Sequence, residues 1–226
     1  MVEVVENLRV VLSEIEKSQR QRELDEPVTL VAVTKNHGVE MMRQAIDAGA
    51  KHIGENRVQE AAEKFAELER TVTKHLIGHL QTNKAKQAVR LFDLIHSVDS
   101  EHLAAALDKA ALSLGKVQDV LIQVNLAKEN SKSGVYEENL QSAIEFVDAL
   151  QNLRLRGLML IAPNFPDVEN CRPLFRRMNQ IFRAIQSTRT NFDFLSMGMT
   201  HDYKIAVEEG ANVVRVGTAI FGERIY

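Results

Sequence analysis

From Pro27 onward, short apolar runs alternate with segments of helical period, and this alternation restricts the fold more than any other feature of the chain. Runs near 29–35, 52–55, 74–80, 94–98, 119–126, 153–161, 192–197 and 213–219 read as eight β-strands. Between them Val58/Ala62/Phe65, Leu103/Leu107/Ala110/Leu114, Leu140/Ile144/Val147 and Leu174/Met178/Ile181/Ile185 recur at helical spacing. Strict βα alternation calls for a parallel sheet with both faces covered. Residues 2–22 read as one more amphipathic helix, with Val4, Leu8, Val11, Leu12 and Ile15 on its apolar side.

Eight strands in 226 residues fit a (β/α)8 barrel, whose usual length is about 250 residues. Only Phe221 to Tyr226 follow the eighth strand, too few for a closing helix. The N-terminal helix is expected to fill that vacant place. An open doubly wound sheet would want a Gly-rich turn after its first strand. Here that turn is Lys35-Asn36-His37-Gly38, which is no dinucleotide fingerprint. The expectation is an α/β fold: a single (β/α)8 TIM-type barrel domain over residues 1–226, with an extra N-terminal helix.

Hydrophobic residues make up 45% and charged residues 26%, which places the chain among ordinary globular proteins. The net charge is −3 with neither sign segregated, so the basic face that nucleic-acid binding needs is missing. Cys171 is the sole cysteine, which excludes an intramolecular disulfide and a cysteine metal cluster. The start, Met1-Val-Glu-Val-Val-Glu, carries acids where a targeting peptide carries bases, and no apolar run approaches a membrane span. A cytoplasmic location without membrane contact is expected. No helix shows a second apolar stripe, which favours a monomer.

Barrel active sites are built at the C-terminal ends of the strands. Those positions hold Lys35; Glu55 and Asn56; His79, Gln81 and Asn83; Asn125; Ser196, Gly198, Met199 and Thr200; and Arg215, Gly217 and Thr218. Lys35 ends the run Thr29-Leu-Val-Ala-Val-Thr-Lys35 on the same face as Val31 and Val33. An amine there either snorkels out at the rim or, kept neutral, forms a Schiff base with a carbonyl. The loops after strands seven and eight are where barrels often bind phosphate. Thr200 is a candidate N-cap for a helix at His201-Asp202. Gly217 would let backbone N–H groups approach a ligand. Arg215 should point into the barrel mouth, either paired to a carboxylate such as Glu55 or set beneath a heteroaromatic ring nitrogen. An arginine only donates and would keep such a nitrogen unprotonated, a poor electron sink. His79 suits a ligand contact or a rim partner equally, and His52 reads as an ordinary strand start. Cys171, at a helix start, is either a reactive thiol or an inert one. No metal-ligand pairing of histidines is present, and no nucleophile elbow or phosphate loop. Lysine, two phosphate loops and arginine together describe a site for pyridoxal 5′-phosphate.

Val31-Ala-Val-Thr-Lys35, Ile53-Gly-Glu-Asn56, His75-Leu-Ile-Gly-His-Leu-Gln-Thr-Asn-Lys84 and Glu129-Asn-Ser-Lys-Ser-Gly134 carry a resemblance that continues to the C-terminus. Arg156-Gly-Leu-Met159, Leu195-Ser-Met-Gly-Met199 and Val214-Arg-Val-Gly-Thr-Ala-Ile-Phe-Gly222 extend it. With these segments the chain resembles the pyridoxal phosphate homeostasis proteins, which share the fold-type III barrel of alanine racemases. The resemblance implies that Lys35 is the Schiff-base lysine and Arg215 the ring-nitrogen partner. Ser196, Gly217 and Thr218 become phosphate ligands by it, with Asn56 and Met199 beside the cofactor. Thr200 stands where serine is commoner, and Ala162-Pro163-Asn164 departs from the usual loop.

Fold-type III racemases are similar in using the lysine on one face of the substrate carbon. On the other they use a tyrosine from a second, β-rich domain. This chain has no such domain, and Tyr136, Tyr203 and Tyr226 follow no strand end directly. The leading expectation is therefore a protein that stores, delivers or buffers pyridoxal phosphate with little or no turnover, handing it to apo-enzymes as recipients. A small racemase using water or Tyr203 as second acid is one alternative. A Schiff-base aldolase working on Lys35 without the cofactor is the other.

Overall fold

In the computed structural model, which describes residues 2–21, 26–129 and 132–223, eight strands pair in parallel and in chain order until the last meets the first. They are β1 (Thr29–Val33), β2 (His52–Glu55), β3 (Thr73–Leu76), β4 (Leu94–Val98), β5 (Gln118–Val124), β6 (Leu153–Leu160), β7 (Phe194–Met199) and β8 (Val213–Val216). Around them run α1 (Val2–Arg20), α2 (Val39–Asp47), α3 (Val58–Glu67), α4 (Ala85–Leu91), α5 (Glu101–Ser113), α6 (Leu140–Asp148), α7 (Arg172–Gln186), α8 (Tyr203–Glu208) and α9 (Thr218–Phe221). The α/β class and the (β/α)8 barrel are as expected. Arg22, Asn130, Ser131 and Tyr226, which figured in the sequence reading, lie outside the described residues.

Several strands end earlier than their apolar runs suggest. β1 stops at Val33 rather than 35, β3 at Leu76 rather than 80, and β8 at Val216 rather than 219. In each case the polar or glycine-bearing tail leaves the ladder to build the C-terminal rim. Asn36 turns into the left-handed region at φ 62°, and Thr218–Phe221 coils into α9. β7 begins and ends two residues later than 192–197.

Side chains alternate between two compartments. Outward-facing Ala32, Ile95, Val120, Ile122, Leu158, Leu160, Val214 and Val216 join the large core beneath the helices. Their inward-facing neighbours Leu94, Leu121 and Met159, with Ile161 and Phe194, form a separate small cluster inside the barrel.

Helix α1 packs on α8, α9 and α2 and so occupies the place of a closing helix. Val4, Leu8, Val11 and Ile15 are buried there, whereas Leu12, expected on the same side, is 38% exposed. Asn7 donates to the Ile220 carbonyl at 3.1 Å, and Lys204 pairs with Glu14 at 2.7 Å. In α7 the buried stripe is Phe175, Met178 and Phe182; of the expected Leu174/Met178/Ile181/Ile185 row only Met178 is on it, and the other three pack partly. Bulky phenylalanines take the barrel face, and the aliphatics fill its margin.

Leu8→Ala should lower unfolding stability by about 2–5 kcal/mol, the range for a buried leucine. Leu12→Ala should stay within about 0.5 kcal/mol. Urea denaturation of both variants checks the orientation of α1, and equal losses would refute it.

Candidate functional site

The C-terminal strand ends enclose a cleft of about 450 Å³. Lys35, Asn56, Met199, Arg215, Gly217 and Thr218, all singled out in the sequence, line it. Thr200, His37, His79, His201, Gln123, Lys132 and Ser133 line it as well.

The turn that carries Lys35 is pinned from outside the barrel wall. Thr34 N–H donates to the Gly54 carbonyl at 3.0 Å, and its hydroxyl donates to Glu55 Oε1 at 2.7 Å. Lys64 Nζ, from α3, donates to the Thr34 carbonyl at 2.8 Å, to Glu55 at 2.9 Å and to Glu60 at 2.5 Å. Glu60 in turn accepts the Asn36 N–H at 2.6 Å. Both peptide neighbours of Lys35 are thereby fixed by one buried charge cluster. Burial pushes the Glu55 carboxyl above its ordinary range, against the pull of Thr34 and Lys64. Its Oε2 is buried without a hydrogen-bond partner among the described residues.

Arg215 lies on the inner face of β8 and is 3% exposed. Its Nη1 donates to Ser196 Oγ at 2.6 Å and its Nη2 to the Leu160 carbonyl at 2.9 Å. Glu55 is not its partner: β2 turns that carboxylate outward to Lys64. Burial pushes the guanidinium down to about 10, with Asp202 opposing. Ser196 in turn meets His96 Nδ1 at 2.9 Å, His96 Nε2 meets His75 Nδ1 at 2.9 Å, and His75 Nε2 meets His52 Nδ1 at 3.0 Å. Burial pushes the His75 imidazole down to about 3 and holds that of His96 well below its ordinary value. The sequence reads His52 as an ordinary strand start and gives His75 and His96 no role, because the three stand 23 and 21 residues apart on different strands. A cue was present: a histidine at an inward position in each of β2, β3 and β4.

Other residues sit differently from the expectation. Ser196 is fully buried below the cleft, its hydroxyl occupied by Arg215 and His96. Thr200 does not cap α8; Asp202 precedes that helix and accepts the Met199 N–H at 2.6 Å. Thr200 Oγ1 instead accepts the Gly217 N–H at 3.2 Å. A side chain at Gly217 would press on Val33, 3.2 Å from its carbonyl oxygen, so the close approach of β1 also asks for glycine at this cleft position. Gly198, at φ 93°, lets α8 come close: a Cβ there would lie 2.6 Å from that of Ala206. Asn125 ties its own loop, donating to the Glu129 and Lys132 carbonyls. That loop does reach the cleft, through Lys132 and Ser133. His79 meets Asp99 and Ser133, both at 3.1 Å. Gln81 and Asn83 are exposed away from the cleft. Tyr203 is buried in the core and does not line the cleft, which removes it as a second acid. Cys171 is buried with its thiol pushed up to about 11, an inert group. Among the described residues no group of three or more His, Cys, Asp or Glu could hold a metal ion. None of the described helices is long and apolar enough to cross a membrane.

Residues 15–225 match the family model described as the alanine racemase N-terminal domain. A pyridoxal phosphate homeostasis protein of Aquifex aeolicus is 40% identical over 224 residues, covering 98% of each chain. One from Escherichia coli K12 is 39% identical over 207 residues, covering 89% of this chain and 88% of its own. The structure of PipY from Synechococcus elongatus PCC7942 with PLP bound superposes with a TM-score of 0.85 at 39% identity, over 97% of this chain and all of that one.

Lys64→Met would leave Glu55 buried without its cation and should cost about 3 kcal/mol at neutral pH. Glu55 already has a raised pKa, so its contribution is fullest below the ordinary carboxylate value and is lost as pH rises. Removing Lys64 raises it further, so the deficit should shrink toward pH 4.5 and grow toward pH 8. Urea titrations across that range, with Glu55→Gln/Lys64→Met as the partly restored control, check the sign.

Proposed function

The chain belongs to the pyridoxal phosphate homeostasis proteins, built on the alanine racemase N-terminal domain, and from that premise we propose that it holds pyridoxal 5′-phosphate in the cleft above Arg215. Its role is storage, delivery or buffering of the cofactor, with little or no turnover. The observation that carries this reading is the meeting of the Lys35 amine and the donor-only Arg215 guanidinium in the same cleft, beside the loops after β7 and β8.

The donor set fits the group. When bound, the cofactor supplies an aldehyde for reversible condensation with a primary amine, one water being released. Lys35 is the amine the pinned turn presents. Arg215 keeps its charge over the whole physiological range, so it offers hydrogens to a ring nitrogen and accepts none. Thr200, Gly217 and Thr218 hold the phosphate, helped by the first N–H groups of α9, which have no intrahelical partner. Asn56 and Met199 flank the ring. Ser196 acts one step removed, by holding Arg215 in place.

A racemase needs acid–base groups on both faces of the reacting carbon. Neither Tyr136 nor Tyr203 lines the cleft, and an unprotonated ring is a weak electron sink. His37, His79 and His201 do line it, so proton exchange at the substrate carbon is the measurement that separates carrier from catalyst. The reading extends to a single barrel domain acting as a monomer in the cytoplasm, with apo-enzymes that use the cofactor as recipients. The cofactor-independent aldolase is disfavoured, since it would need a phosphorylated substrate to engage Arg215 and the loops after β7 and β8.

Borohydride treatment of protein loaded with pyridoxal phosphate should fix the label on Lys35. Lys35→Ala should lose the label yet retain binding weaker by more than tenfold, a loss above about 1.4 kcal/mol. In D2O with single-enantiomer amino acids, loaded protein should show no more Cα deuterium than this variant. Lysine-dependent uptake with inversion would make the protein a racemase.

A further inference from the structure

The barrel interior contains a hydrogen-bonded line that the cleft itself does not require: His52, His75, His96 and Ser196, ending on Arg215. Its members come from β2, β3, β4, β7 and β8. By register His75 lies level with Gly54, two residues along from His52, and His96 lies two residues beyond Leu94, the partner of His75. The line therefore climbs the inner wall by two residues per strand, from the start of β2 toward the cleft. Only its Arg215 end lines the cleft.

Proton counting gives this line a direction. Arg215 can only donate, so Ser196 Oγ accepts from it. The serine hydroxyl hydrogen then goes to His96 Nδ1, which must be unprotonated. A neutral imidazole carries one hydrogen, so His96 Nε2–H donates to His75 Nδ1, and His75 Nε2–H donates to His52 Nδ1. The opposite sense would leave the Ser196 hydroxyl hydrogen with no acceptor among its contacts. Complete burial keeps His75 and His96 neutral, and each imidazole beside them discourages a second charge.

We infer that His96, His75 and His52 form a one-way chain of neutral imidazoles whose acceptor ends face Arg215, and that it positions this guanidinium toward the ring nitrogen of a bound pyridine cofactor. The inference rests on the cofactor reading above for its last step, and on the contacts alone for the rest. No carboxylate hydrogen-bonds Arg215 among the described residues. A buried cation with no hydrogen-bonded counterion, and with Asp202 acting on it only through space, draws on oriented dipoles as well, and hydrogen bonds in series polarise one another in one sense. The three histidines are positioning residues: they touch neither the cleft nor anything in it, and act through Ser196 and Arg215.

Nitrogen-15 NMR of the imidazoles, on full-length protein without cofactor, reads the direction. His96 and His75 should each be a single Nε2–H tautomer with bare Nδ1; the reverse tautomer, or an averaged mixture, would overturn the chain. His75→Phe then cuts the line two links from Arg215. Loaded with pyridoxal phosphate, this variant should show a displaced visible band, and its dissociation constant should rise about 2- to 10-fold, the worth of one hydrogen bond. His96 should also relax into mixed tautomers. A folded His75→Phe with the wild-type band and affinity would refute the positioning role. His52→Phe, half-exposed in the native chain, gives a second reading if His75→Phe does not fold: a smaller displacement in the same direction supports the role, and none refutes it. Wild-type protein with the expected tautomers but no uptake of pyridoxal phosphate would overturn the cofactor reading while leaving the chain's direction standing.

Discussion

Arg215 carries a full charge at a position that is 3% exposed, and its hydrogen bonds go to a hydroxyl and a carbonyl rather than to a carboxylate. An isolated buried ion costs several kcal/mol even after relaxation, so the surrounding interior has to be arranged around it. The arrangement visible here divides the barrel lumen. Leu94, Leu121 and Met159 fill one part with apolar bulk. The other part is a file of groups that accept toward the arginine and donate away from it. A carboxylate would neutralise the charge more simply, but it would also compete for the guanidinium hydrogens. With neutral partners, the arginine keeps donors for whatever occupies the cleft.

The second charge cluster lies across the strand wall, and period two keeps the two apart. In β2, His52 and Gly54 face inward while Glu55 faces out to Lys64 and Thr34. Glu55 is thus unavailable to Arg215, although it stands on a strand of the same barrel. What it does instead is hold the turn at Lys35, together with Glu60 and Lys64. The amine and the guanidinium are positioned by separate networks, one outside the wall and one inside. Damage to either should leave the geometry of the other largely intact, because contacts between the two sets are blocked by the strand itself.

The alternation of apolar runs was enough to read the barrel, since a parallel strand buried on both faces is apolar at successive positions, where a half-exposed strand alternates with polar residues. The rim was harder. Residues 77–80 and 217–219 are apolar or glycine-bearing and look like strand, but the ladder ends before them because the rim must turn. Most of the cleft was legible because its residues follow strand ends, where side chains reach the mouth of a barrel. Ser196 was placed too high by the same logic: it lies three residues before the end of β7 rather than at its end. The histidine file was not legible, because it depends on the stagger between neighbouring strands. A sequence gives the inward parity of His52, His75 and His96 once strand limits are known. It does not give the two-residue climb that brings each ring to the next.

Carrier function follows from how rigidly these groups are held as much as from what is missing. Reversible condensation on a lysine needs only an amine in reach and a ligand held by its phosphate. Racemisation needs in addition a stabilised carbanion and an acid on the far face. A guanidinium on the ring nitrogen works against the first requirement, because it withholds the proton that would make the ring an electron sink. The described tyrosines do not meet the second, since Tyr203 is in the core and Tyr136 lies outside the cleft. His79, already engaged by Asp99 and Ser133, is held at the rim. Turning this barrel into an efficient racemase would thus require relaxing Arg215 and freeing or adding an acid together, and the file of imidazoles resists the first of those changes.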